Sequence, residues 1–198
     1  MRSLIWFVGL AALIGLTVSS PQSATAQISG TFAFTNDVIC VVAISPASFN
    51  SSFEPTAGPV YLNSANNAGT ITFNSNGTGS VVVDLGVGTS VPVPPGTFTS
   101  TNSDVSSWTE SHQFTYTVSG GIITTQLVSG TYTQSFISGP RAGQTATQNV
   151  LNNVAYISSN GANYMSISNG TYVDTKTFSN GDVHPEVCTR SSRGFSFP

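Results

Sequence analysis

A chain of 198 residues with five basic and eight acidic side chains carries a formal charge of −3. That leaves too few cations for the phosphate contacts of nucleic-acid binding or for a polybasic lipid-facing surface. Charged residues are 7% of the chain, and Ser, Thr, Asn, Gln and Gly take their place. Recurrent Phe, Tyr, Val and Ile separate it from disordered chains, which lack such residues.

Arg2 precedes an uncharged apolar run from Leu4 to Val18, and Ala24-Thr25-Ala26 supplies a small-x-small site. The run is short for a membrane span and has the flanks of a secretory signal, so cleavage is expected before Gln27. Residues 1–26 are then a removed leader, and 27–198 form a single exported domain, periplasmic or extracellular, with no membrane anchor. Cys40 and Cys188 are the two cysteines. In an oxidising compartment they are expected to form one disulfide, tying a strand near the mature N-terminus to the last strand.

Helical apolar periodicity is absent after Gln27, whereas β-branched residues punctuated by Gly recur. Strands are expected over 28–35, 38–44, 69–73, 80–85, 108–119, 122–128, 131–137, 150–158, 164–168, 171–178 and 183–192. Some merge across bulges, leaving about eight to ten. Asn76-Gly77, Gly120-Gly121, Asn160-Gly161, Asn169-Gly170 and Asn180-Gly181 supply the residues of tight hairpins. Segments 45–68, 86–107 and 138–148 read as long connections, and Pro92, Pro94 and Pro95 stiffen the second. Gly30-Thr31-Phe32, Gly96-Thr97-Phe98, Gly130-Thr131-Tyr132 and Gly170-Thr171-Tyr172 echo one another. Each reads as a turn glycine followed by an inward aromatic. The fold class is all-β, a single antiparallel, mostly up-and-down barrel.

Alternation assigns the faces. Phe32, Phe34, Val38, Cys40 and Val42 share one face of the first long segment. Trp108, Glu110, His112, Phe114, Tyr116 and Val118 share one face of another. Asp182, His184, Glu186 and Arg190 share the face of Cys188, unless a bulge near Pro185 resets it. Tyr132, Phe136, Tyr156 and Tyr172 complete the expected aromatic interior.

Glu110, His112, His184 and Glu186 are therefore the polar groups expected to turn inward. One arrangement leaves them at strand ends, solvated or paired with Arg190. The other gathers them at one mouth of the barrel, where imidazole and carboxylate orient a polar group or hold a metal. With Phe114 and Tyr116 they form the candidate ligand-binding set. No Gly-x-Ser-x-Gly, His-Glu-x-x-His, phosphate loop or calcium loop is present, so no catalytic residues, resident metal or cofactor are assigned.

Gly30-Thr31-Phe32 resembles the Gly-x-Trp signature opening the first strand of lipocalins and related calycin barrels. That resemblance implies that Arg190 packs across Phe32 and closes the barrel base, and that the lumen encloses a small apolar ligand. Gly30-Thr31-Phe32-Ala33-Phe34 with Cys40-Val41-Val42 also resembles the first strand of chaperone–usher pilins, which implies a structural or adhesive subunit. The expectation is a non-enzymatic binding barrel, with the pilin-like subunit as its alternative.

Overall fold

A computed structural model describes residues 28–56, 60–93, 104–119, 122–148, 155–159 and 164–196, the backbone alone for 155–159 and 164–172. The expected leader over 1–26 lies outside these residues, as do the Gly120-Gly121 and Asn160-Gly161 turns. Ten strands are described: β1 (Gly30–Ala43), β2 (Val60–Phe73), β3 (Thr78–Val93), β4 (Asp104–Ser119), β5 (Ile122–Leu127), β6 (Thr133–Ser138), β7 (Thr145–Gln148), β8 (Ala155–Ser159), β9 (Tyr164–Phe178) and β10 (Val183–Ser196). No helix among the described residues is long and apolar enough to cross a membrane.

All pairings are antiparallel, and the sheet closes in a ring because β10 pairs with both β9 and β1. The ten strands occupy eight positions around it. β5 and β6 follow one another along β4, while β7 and β8 follow one another along β9. Each of these positions is one broken strand, so the chain visits the ring in sequence order. This is the up-and-down topology that the hairpin spacing predicts. Asn76-Gly77 and Asn180-Gly181 form their turns, with Gly77 and Gly181 at positive φ.

Cys40 and Cys188 are bonded, buried, and directly opposite in the β1–β10 register. The bridge thus joins neighbouring strands and does not cross the core. A buried disulfide is consistent with an oxidising compartment.

Several expected connections are strand. β2 takes up the second half of 45–68, β3 and β4 cover both ends of 86–107, and β7 lies inside 138–148. Apart from Tyr61, the inward residues of these stretches, among them Asn63, Ala65, Asn67, Gly86, Gly88, Ser90 and Ala146, are small or polar, so they carry little apolar alternation to detect. Val91-Pro92-Val93 also belongs to β3, where it pairs with β2; among the described residues the β3–β4 pairing runs from Thr78 to Ser90. Asn169-Gly170 makes no hairpin. It lies within β9, where the register against β10 shifts between Cys188 and Arg190 and β9 holds the extra residue. The bulge thus lies on β9 at Gly170-Thr171, opposite Thr189 and not on β10 at Pro185, and β10 stays regular against β1.

The interior has two halves. At one end Phe32, Phe34, Ile71, Phe73, Phe114 and Tyr116 lead an apolar cluster. Phe73 makes edge-on ring contacts with Phe32, Phe114 and Tyr116 at 6.0, 5.4 and 5.1 Å. Such contacts add to the hydrophobic gain from burial. The Tyr116 hydroxyl lies 2.6 Å from the Asn74 carbonyl, so its one polar atom is satisfied. At the other end the ring encloses a cavity.

Candidate functional site: an ionic lumen

The cavity has a volume of about 330 Å³ and is walled by residues from β1, β2, β3, β4, β6, β7, β9 and β10. Five of the chain's eight acidic residues line it: Asp104, Glu110, Asp174, Asp182 and Glu186. So do three of its five basic residues, Arg141, Lys176 and Arg190. A chain otherwise nearly free of charge places most of it in one cavity, where desolvation makes charge most costly.

Alternation puts these groups inside. In β10, His184, Glu186 and Cys188 are all buried on one face, so the charged face of the last strand does point inward. In β9, Asp174, Lys176 and Phe178 share the matching face. Glu186 stands directly opposite Asp174, and His184 directly opposite Lys176.

Glu110 is positioned by the break between β5 and β6. Gly130, at φ 76°, turns the chain there. The Thr131 hydroxyl takes over as acceptor for the Gln113 amide at 3.0 Å. Tyr132 is thereby sent inward, and its hydroxyl donates to Glu110 Oε2 at 3.0 Å. Glu110 Oε1 lies 3.4 Å from His112 Nδ1, and the His112 ring stacks on Tyr132. Burial pushes the Glu110 carboxyl up, but the His112 hydrogen bond and the charges of His112, Arg190 and Lys176 outweigh it and bring it down to about 2. Burial and the adjacent Glu110 hold the Tyr132 phenol well above its usual range.

Across the lumen, Lys176 Nζ lies 3.3 Å from Glu186 Oε2. Asp174 accepts hydrogen bonds from Gln148 Nε2 and from the Thr175 amide. Burial and the facing Glu186 carboxylate raise Asp174 to about 7. His184 is lowered to about 4 by burial and by Arg141. The neutral ring then accepts from Arg141 Nη2 at 3.3 Å through Nε2, which places its proton on Nδ1. Arg141 covers the Phe178 ring at 3.8 Å and approaches Asp182 at 3.9 Å, tying the 139–144 turn to the cavity.

Several buried amide side chains on the cavity wall have an oxygen without a hydrogen-bond partner among the described residues: Asn67 Oδ1, Gln134 Oε1 and Gln148 Oε1. Trp108 Nε1 is likewise unpartnered. Its indole lies over Gly86, where a Cβ would come within 2.3 Å of Nε1; glycine there makes room for the ring.

Of the candidate set, Glu110, His184 and Glu186 line the same cavity, and His112 stands behind Tyr132 as a partner of Glu110. Phe114 and Tyr116 lie in the apolar cluster instead, on the same strand but beyond the cavity. Phe32 and Arg190 are not brought together. Phe32 pairs with Ser196 in the apolar half, whereas Arg190 pairs with Val38 and lines the cavity. Six residues of strand between the two registers amount to about 20 Å. Asp174, Lys176, Gln148, Gln134 and Arg141 escaped the sequence reading. The Asp174-Thr175-Lys176-Thr177-Phe178 alternation held a signal, since Phe178 marks its charged partners as inward. Tyr156 and Tyr172 belong to the residues whose side chains are not described. Comparison with family models, with curated proteins and with solved structures gives no match.

Proposed function

We propose that the protein is an exported, non-enzymatic β-barrel of lipocalin-like build that holds a small polar guest in its ionic lumen. The observation that carries this reading is the gathering of most of the chain's charge around one cavity, with unpartnered amide oxygens on its wall. Buried charges and unsatisfied amides cost stability, and an ionic wall offers an apolar guest no compensating contact. The wall chemistry therefore favours a polar guest over the apolar one expected from the sequence. Glu110, His184, Glu186, Asp174 and Lys176 are the groups placed to hold it, while the Phe73 cluster closes the other end.

The pilin-like alternative gains no support from β1, which is paired on both sides, by β10 and by β2, along most of its length. Native mass spectrometry of the protein from its own exported fraction tests the reading. A small non-covalent mass that leaves on denaturation is the expected result. A clean apo mass, together with no thermal shift against a panel of sugars, amines and amino acids, overturns it.

A further inference from the structure

The charges that line the lumen do not balance. Five carboxylates, Asp104, Glu110, Asp174, Asp182 and Glu186, stand against three cations, Arg141, Lys176 and Arg190. Glu110 has the Tyr132 hydroxyl and the His112 ring as polar partners, whereas Asp174 and Glu186 have each other as neighbours. These two carboxylates, both buried, stand directly opposite each other on neighbouring antiparallel strands. That register brings their Cβ atoms to about 5 Å, and like charges so placed repel. Lys176 reaches Glu186. Gln148 spends its Nε2 on Asp174 and leaves Oε1 buried without a partner on the same wall. An N–H-rich cation is the chemistry that these groups lack.

Resting on the polar-guest reading above, we propose that the guest carries a primary ammonium group, seated between Asp174 and Glu186 with Gln148 Oε1 as a further acceptor, and that it displaces a proton from Asp174 on binding. The ammonium supplies three donors against two carboxylates and an amide oxygen. The proton balance is simple: protonated Asp174 gives its proton to solvent as the ammonium takes over its compensating charge. Asp174 is faced by Glu186 and Arg190 from β10, Lys176 on β9, Gln148 from β7 and Tyr132 from the β5–β6 link. The value of about 7 for Asp174 agrees with a proton held near neutral pH.

Titration calorimetry of the oxidised protein with putrescine, butanediol and succinate tests this, because the three place ammonium, hydroxyl or carboxylate on the same four-carbon chain. Putrescine is expected to bind about tenfold or more tightly than butanediol, the margin of a charge-assisted hydrogen bond over a neutral one. Near pH 7, binding in phosphate and in Tris should give heats that differ by about half a proton's ionisation. Asp174→Asn keeps the shape, and should lose both the preference and the proton release. Asp84→Asn, exposed and outside the cavity, should change neither. Equal binding of butanediol or succinate overturns the proposal, as does putrescine binding unaltered by Asp174→Asn. If none of the three binds while native mass spectrometry still finds a guest, the ammonium assignment fails and the lumen reading stands.

Discussion

The two ends of this ring are made from the same strands and obey opposite rules. β1, β2, β3 and β4 each pass from one half to the other. On β4, Phe114 and Tyr116 belong to the apolar cluster, whereas Glu110 and Trp108 face the cavity on the same inward side. In the apolar half, rings fill the space and the fold gains from their burial. In the ionic half, carboxylates and amides wall a cavity, and each polar group must find a partner to offset its desolvation. The difference teaches that one inward face can be divided along its length between stability and a site.

The contrast can be broken most severely from the apolar side. Phe73→Ala removes the ring at the centre of the cluster and should cost about 3–5 kcal/mol, read from denaturant unfolding. Its effect on guest binding by the folded fraction should be small, because Phe73 does not line the cavity. Loss of guest binding in fully folded variant protein would show that the halves are not separate.

Reduction of the disulfide comes next. Its 148-residue separation makes it a long closure, worth about 4–5 kcal/mol in the chain-entropy account and less if unfolded-state structure intervenes. The midpoint of unfolding with and without reductant measures this. An unchanged midpoint would mean that β1–β10 pairing suffices alone.

On the ionic side, two carboxylates should respond to pH in opposite senses. Glu110 titrates at about 2 in the folded chain against an ordinary 4.5. Its contribution is therefore complete above pH 4.5 and is lost as pH falls towards 2, and Glu110→Gln should remove about 2–3 kcal/mol of it at neutral pH. Asp174 is raised from 3.8 to about 7, so the folded state binds the extra proton and stability falls as pH climbs across that window. Asp174→Asn should consequently raise stability above pH 7, by up to about 4 kcal/mol, while leaving acid stability nearly unchanged. A variant less stable than the parent at pH 8 would mean that Asp174 is held by more than Gln148 and Thr175. The smallest effect belongs to Ile137→Ser on the exposed outer face, within about 0.5 kcal/mol in thermal unfolding.

The apolar half was legible because its residues alternate in the expected period. Phe32 and Phe34 on β1, and Phe114 and Tyr116 on β4, are inward as predicted. The same parity placed Glu110 on β4 and His184 and Glu186 on β10 inside, against the usual preference of charge for solvent. It failed where the wall is small or amide-rich. Asn63 and Asn67 on β2, and Gly88 on β3, look like loop composition until the cavity that they line is known, and so does Gly86 until the Trp108 ring against it is known. Asn169-Gly170 failed for another reason: the dipeptide suits a bulge as well as a turn, and only pairing with β10 chooses between them.

By itself, then, the sequence determined the strand-rich class and the inward side of the well-alternating strands, because backbone pleat ties both to local order along the chain, and it determined the cysteine pairing because the chain has two cysteines and no third. Tertiary structure alone decided that Asp174 would face Glu186, that Tyr132 would reach Glu110, and that Arg190 would meet Val38 and not the neighbourhood of Phe32. Those are matters of register and closure. They depend on how many residues separate two strands around the ring, and no local pattern encodes that sum.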